Sequence, residues 1–331
     1  MILTPLLKTK NLGTQFWNDS CDPKELTEAV RAGATGATSN PVIVHTVAKT
    51  HQKELIHVLK KMIGENPRAT EDDIAWDLIN HLGRSAAQIL ESVGFLSMQV
   101  NPKYYRNADL MLEQGLKLSS LAPNIAIKAP CTEQGIIAFN KLSDQGVRVN
   151  ATVSFSVAQA VAAGEVIKNG YVTIMVGRLD DHLQRIMTKE NIQIDPKYLQ
   201  WAGIAVFKKA YEIFRKRRFT ATLLVAAYRH ELHWSQLIGE KVLMTMPYSW
   251  WTKFNQSQTE VRKTIEEPVD PKIIESLLSK FPDFKRAYDE KGLSPKQFDS
   301  FGPTVHTLDQ FLSGYQDLVT FVRRQMLDLN T

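Results

Sequence analysis

Eight short apolar or alternating runs, separated by segments with helical spacing, predict an α/β fold of the (β/α)8 TIM-barrel type. Strict alternation of strand and helix calls for parallel strands covered by helices, and eight units are the barrel count. A doubly wound sheet is the rival. No GxGxxG follows any of the runs, which weakens its dinucleotide-binding form.

The first run, "GTQFWND" (13–19), ends in Asp19, and "DPKELTEAVRAG" follows with helical spacing. The second, "TGATSN" (35–40), ends in Ser39 and Asn40. The long connection 41–93 keeps a helical pattern, so extra helices are expected there rather than a loop. "GFLSMQVN" (94–101) carries Ser97, Gln99 and Asn101 at period two. "NIAIKAP" (124–130) sets one lysine, Lys128, in an otherwise uncharged apolar strand that Pro130 closes. Thr132 suits the start of the next helix and Gly146 its end. "RVNATVSFS" (148–156) carries Asn150, Thr152 and Ser154 at period two. "YVTIMVG" (171–177) holds Thr173 and Met175, with Arg178 just beyond; the connection 178–220 again reads as helices. "ATLLVAA" (221–227) precedes Arg229, and "KVLMTMP" (241–247) is the last strand.

After residue 247 the strands stop. "DPKIIESLLSKF", "LSPKQFDSFG" and "TVHTLDQFLSGYQDLVTFVRRQML" read as helices. The last is amphipathic, with Leu308, Phe311, Leu312, Tyr315, Leu318, Val319 and Val322 on one stripe, and is expected to pack on the barrel or over its mouth. The expectation is a single domain, 1–331, with a barrel core at 13–247 and a helical extension at 248–331.

Composition excludes several classes. At 331 residues, 44% hydrophobic and 23% charged, the chain is of globular type, with no run resembling a membrane span. The net charge of +5 suits small anions and does not by itself imply nucleic acid. The densest basic run, "FRKRRF" (214–219), falls where a helix should end, a favoured place for cations. Two cysteines without CxxC spacing argue against a disulfide framework or a cysteine zinc site, and a cytoplasmic setting with reduced thiols is expected. The N-terminal stretch is too short and too weakly apolar for a signal peptide.

Functional residues of a barrel lie at the C-terminal ends of its strands. Alternation turns Asn150, Thr152 and Ser154 inward, because the helix-facing side requires apolar groups; Ala126 and Lys128 follow, with Ile125 and Ile127 toward the helices. Lys128, Asp19 and several neutral hydrogen-bonding groups should therefore meet at one mouth. Two explanations fit such a lysine. Partial desolvation would lower its pKa and free an amine for attack on a carbonyl, with the carboxylate moving protons. Alternatively, Lys128 and Asp19 form a buried structural pair. Arg178 and Arg229 could hold a phosphate bidentately. His230 and His233 are spaced for two ligands on a helix face, without an evident third. Cys131 reads as a small helix-start residue rather than a nucleophile, and Trp250 and Trp251 as core packing or an apolar rim.

These residues resemble the transaldolase family. "GATSNPVIV" is similar to its strand-two signature, and "NIAIKAPCTEQGIIAFNKLSDQGVRVNATVSFSVAQAVAAGE" to its active-lysine segment. "VGRLDDH" and "LVAAYRH" resemble the segments carrying its phosphate-binding arginines, and "VLMTMP" its last strand. The resemblance runs in family order over 13–247.

It implies a class I aldol mechanism of the pentose phosphate pathway. Lys128 forms a Schiff base with a ketose phosphate and Asp19 takes the C4 hydroxyl proton. Asn40 and Asn150 bind the dihydroxyacetone hydroxyls, and Thr152 positions water. Arg178 and Arg229 bind the phosphate, with Thr173 where the family has a serine. No metal or organic cofactor is implied. The implied partners are sugar phosphates or sugars with another anion, not nucleic acid or membrane, with room for a homo-oligomer. Gln99 stands where transaldolases place a glutamate and where the related fructose 6-phosphate aldolases place a glutamine. Met175 matches neither the phenylalanine of the one nor the tyrosine of the other, and Ala227 replaces a serine. Transfer of a dihydroxyacetone unit is the leading expectation. The alternatives are an aldolase-type lyase and a noncatalytic sugar-phosphate-binding relative.

Overall fold

The structure, a computed structural model, describes residues 4–328. Eight parallel strands close into a barrel in sequence order: β1 Gln15–Asn18, β2 Gly36–Thr38, β3 Phe95–Gln99, β4 Ile125–Pro130, β5 Val149–Ser154, β6 Gly170–Met175, β7 Thr222–Ala226 and β8 Val242–Met246. All eight coincide with the runs read from the sequence.

The helices start where local chemistry starts them. Asp22, Asn40, Asp195 and Asp270 each cap a helix that begins with proline, and the cap side chain accepts a backbone N–H of the first turn. Thr132 caps Glu133–Asp144, and Gly146 follows its end in a left-handed conformation. The connection 41–93 folds as Pro41–Thr50, Gln52–Glu65 and Glu71–Leu90. The connection 178–220 is built on the helices Val176–Glu190, Pro196–Leu199 and Ala202–Arg217. The "FRKRRF" run closes the last of these, with Arg215, Lys216 and Arg217 in the final turn. "LSPKQFDSFG" forms only a 3₁₀ turn, Pro295–Gln297, rather than the expected helix.

Barrel register sorts the strand residues into layers. Gln99 pairs with Lys128, Lys128 with Asn150, and Asn150 with Tyr171, so these four share the inner face. Lower in the barrel, Trp17 meets Tyr171 edge-on with ring centroids 4.6 Å apart. The Arg148 guanidinium lies 4.0 Å from the Phe95 ring centroid. Trp17 fits because β2 begins with glycine: a Cβ on Gly36 would lie 2.5 Å from the indole and 2.6 Å from the Phe95 carbonyl. Gly36→Ala is therefore expected to destabilise the fold by about 1–3 kcal/mol through overpacking. Denaturant unfolding checks this, and an unchanged midpoint would show that the barrel interior yields there.

One strand breaks the alternation. Between Ala151 and Ser154, β5 carries one more residue than β6, and Val153 takes φ 56. A β-branched residue in that region is strained, and bulges of this kind re-aim side chains. Ser154 consequently pairs with Ile174, away from the Thr173 and Met175 face. The expectation that Ser154 points inward is thus corrected: regular period two cannot continue through a bulge. Gln159, fully buried, fastens this segment. Its amide donates to the Val153 and Cys131 carbonyls and accepts from Phe155 N–H.

The helix Gly302–Asp328 crosses the C-terminal end of the barrel, its apolar stripe buried as the spacing predicts except for the half-buried Leu312. It passes so close to helix Pro41–Thr50 that a Cβ on Gly314 would lie 2.3 Å from Val42. Tyr315 donates to Asp72 at 2.6 Å, and Arg323 binds Glu71 through both carboxylate oxygens. Among the described residues, no helix is long and apolar enough to cross a membrane.

Candidate active site

A cavity of about 240 Å³ opens at the C-terminal ends of the strands. Asp19, Asn40, Lys128, Thr152, Thr173, Arg178 and Arg229 all line it, so seven of the nine residues singled out from the sequence converge there. Larger grooves, of about 670 and 760 Å³, lie along helix Ala202–Arg217 and hold none of these groups.

Lys128 is 5% exposed. Its ammonium donates to the Ser39 carbonyl at 3.4 Å and has no ion-pair partner among the described residues. Burial holds its pKa below the ordinary lysine value of 10.5; the Asp19 charge opposes this and Arg178 adds to it. This separates the two explanations left by the sequence. A buried structural pair needs close contact and hydrogen bonds to offset desolvation. Here Asp19 acts on Lys128 only through its field, and its Oδ1 instead accepts from the Thr38 hydroxyl at 2.6 Å. Thr38 in turn sits 2.6 Å from the Thr245 hydroxyl, fixing the carboxylate at the rim between β1, β2 and β8.

Thr152 reaches the cavity from β5 with its hydroxyl buried and unpartnered, as suits a group that holds a ligand or water. Asn40 contributes differently. Its Oδ1 accepts from Ile43 N–H as a helix cap, which leaves its amide nitrogen toward the cavity. Asn150 lies one layer below and does not line the cavity. It donates to Ser97 at 2.9 Å and accepts from Thr173 at 2.7 Å, so both ends of its amide are taken by neighbouring hydroxyls. Gln99 is the strand neighbour of Lys128. It lines a separate small cavity with Cys21, Ser39 and Asn40, and both of its buried amide atoms lack partners.

The arginines are less free than their sequence positions suggest. Arg229 forks onto Asp181, its Nε at 2.9 Å and Nη2 at 2.7 Å from Oδ2, and its Nη1 donates to the Tyr228 carbonyl. Arg178 donates to Gln310 on the C-terminal helix and lies 5.9 Å from the Phe311 ring centroid. Its buried Nε has no partner. The two guanidinium groups still feel one another across the mouth, which lowers the pKa of Arg178 after burial. Such a concentration of positive charge favours an anion.

The histidines do have a third neighbour, Asp180, which sequence spacing could not reveal. Its Oδ2 lies 2.7 Å from His233 Nε2 and 3.3 Å from His230 Nε2. Arg229 N–H donates to His233 Nδ1 at 3.1 Å, so the neutral ring carries its proton on Nε2 and donates it to Asp180. The trio thus pins the backbone of Arg229, and the ring atom facing the carboxylate is a donor rather than a free ligand. Cys131 is fully buried with its thiol pushed up by desolvation, which fits a packing role. The tryptophans divide: Trp250 lines the cavity, while Trp251 packs on Phe16 at 5.5 Å.

Sequence reasoning missed Asp181, Gln159, Tyr228, Gln310 and Phe311. Asp181 and Gln310 reveal themselves only through arginine partners distant in the chain, while Gln159 and Tyr228 depend on the irregular backbone at Val153 and Ala227. Phe311 was visible as part of the apolar stripe, without any sign that it walls the cavity.

Comparison with known proteins places the chain in a family. The family described as "Transaldolase/Fructose-6-phosphate aldolase" matches residues 16–294. A probable transaldolase of Chlorobium phaeobacteroides is 28% identical over 221 residues, covering 66% of this chain and 79% of that protein. One of Thermus thermophilus is 26% identical over 239 residues, covering 71% of this chain and 87% of that protein. One of Bacillus cereus reaches 32% over 126 residues, or 38% of this chain and 50% of that protein.

Proposed function

Because this chain belongs to the transaldolase/fructose-6-phosphate aldolase family, we propose that it transfers a dihydroxyacetone unit from a ketose phosphate to an aldose phosphate through a Schiff base on Lys128. The observation that carries this reading is a buried lysine without an ion-pair partner, facing a small cavity with one carboxylate on its rim.

Desolvation keeps a share of the Lys128 amine unprotonated, and the amine attacks the C2 ketone. Loss of water gives the iminium. Asp19 accepts the C4 hydroxyl proton as the C3–C4 bond breaks, and the electron pair moves onto the iminium to leave an enamine on Lys128. The aldose product departs. An acceptor aldehyde is attacked by the enamine carbon, Asp19 returns the proton to the new hydroxyl, and hydrolysis frees Lys128. Thr152 holds the water that is lost and later added. Asn40 donates to the dihydroxyacetone hydroxyls, Asn150 sets the Thr173 hydroxyl that faces the same unit, and Arg178 and Arg229 hold the phosphate. Gln99 orients water from the side of its own small cavity, since an amide cannot accept the proton. The C-terminal helix, through Gln310 and Phe311, keeps bulk water from the enamine.

Borohydride reduction with a ketose phosphate, followed by peptide mass mapping, is expected to place a stable adduct on Lys128. No adduct there would overturn the Schiff-base reading. A lyase is the second reading, favoured by the absence of a carboxylate at Gln99. Donor turnover with and without an acceptor aldose separates the two: the transferase requires the acceptor, and equal cleavage without it would make the protein a lyase.

A further inference from the structure

We infer that the Tyr228 hydroxyl is a third donor, beside Arg178 and Arg229, for the terminal anionic group of the substrate. This rests on the reading of the cavity as an aldol site and adds a residue to it.

Four consecutive residues, Ala226, Ala227, Tyr228 and Arg229, line the cavity. A regular strand cannot do this, because successive side chains face opposite ways. Ala227 makes it happen by taking φ 66, a conformation costly to any residue but glycine. Strain of this kind persists where the surroundings over-determine it, commonly at ligand sites. Here Arg229 N–H is held by His233, and the Arg229 side chain by Asp181.

The strained turn sets Tyr228 in the wall, 3% exposed. Its ring is fixed by Phe254, Trp250 and His233, at centroid distances of 5.6, 6.1 and 6.3 Å. Its hydroxyl is buried and has no hydrogen-bond partner. Buried polar groups in folded proteins are nearly always paired, and phenylalanine would fill the same space without the orphan oxygen. Burial also pushes the phenol pKa well up, so the group is neutral and can donate.

Demand for such a donor follows from its neighbours. Arg229 gives both Nε and Nη2 to Asp181 and Nη1 to a carbonyl, and Arg178 gives Nη1 to Gln310. Ala226 and Ala227 offer no side-chain donor. A phosphate or sulfonate group has three terminal oxygens to satisfy, and the Tyr228 hydroxyl is an unused neutral donor on the same stretch of wall as Arg229.

The test is Tyr228→Phe in the full-length protein. A lost hydrogen bond to a charged group is expected to weaken binding by roughly ten- to a hundredfold. The Kd for inorganic phosphate and the KM for a ketose phosphate should rise together by that factor, while kcat falls far less. The KM for the corresponding neutral ketose should hardly move, and the variant should melt no lower than the wild type because an unpartnered hydroxyl has been removed. An unchanged phosphate Kd overturns the inference. So does a fall in kcat without a change in Kd, which would make Tyr228 part of proton transfer instead. Phosphate binding is read without any Schiff base, so failure of the Lys128 adduct and failure of the Tyr228 role are separate results.

Discussion

Lys128→Met is expected to lower turnover by about four to six orders of magnitude, the scale seen when a covalent nucleophile is removed. Methionine keeps the length and apolar stem of lysine, so the cavity keeps its shape and ligand binding should change little. Loss of both binding and turnover would point to a structural lysine. Stability should move the other way. A buried amine without an ion-pair partner costs the fold, and its replacement is expected to add about 1–3 kcal/mol at neutral pH. The pH dependence has a defined sign. The folded pKa of Lys128 lies below the unfolded value of 10.5. As pH falls through 10.5 the unfolded chain takes up a proton that the folded chain refuses, and the wild type loses stability until the folded pKa is reached. The advantage of the methionine variant should therefore shrink as pH rises toward 10.5. A gain independent of pH would show that Lys128 is not desolvated in solution.

Asp19→Asn is expected to reduce turnover by about two to four orders of magnitude, the range of a lost general acid–base. Asparagine can still accept from Thr38, so the rim keeps its geometry. The adduct on Lys128 should still form, because formation of the Schiff base precedes use of Asp19 in breaking the carbon–carbon bond. The two steps are thus separable in one variant: trapping persists while transfer stops. Asp19 also raises the pKa of Lys128 through its charge. With that charge gone, the pH at which trapping becomes efficient should move downward. Turnover within tenfold of the wild type would assign the proton to another group.

Much of this site was legible beforehand because it lies on regular strands. Alternation around Lys128, with Ile125 and Ile127 on the other face, requires only that a strand have two sides. Register bears that out, since Ala126 pairs with inward Ser97 and Lys128 with Gln99 and Asn150. The same rule failed at Ser154, where Val153 adopts a conformation that no sequence pattern announces. It was also silent after β7. "AAYRH" reads as the end of a strand and the start of a loop, whereas around a left-handed Ala227 four successive residues line one cavity.

The arginines show a second kind of limit. Arg178 and Arg229 were expected from the sequence as anion ligands, and both line the cavity. Their partners, Gln310 at 132 residues from Arg178 and Asp181 at 48 from Arg229, could not be paired by inspection. Gln99 and Asn150 were recognised as inward groups, but the layer and the cavity each one faces depend on how the strands are staggered around the barrel.

The sequence by itself determined the eight strands, their helices and caps, and the inward lysine, because these follow from interactions among residues a few positions apart. Tertiary structure alone decided which inward groups share a cavity and which donors remain free. It also decided that a helix near the C-terminal end walls the mouth with Phe311. Those outcomes depend on closure of the barrel and on contacts between residues far apart in the chain, where burial and charge act through space.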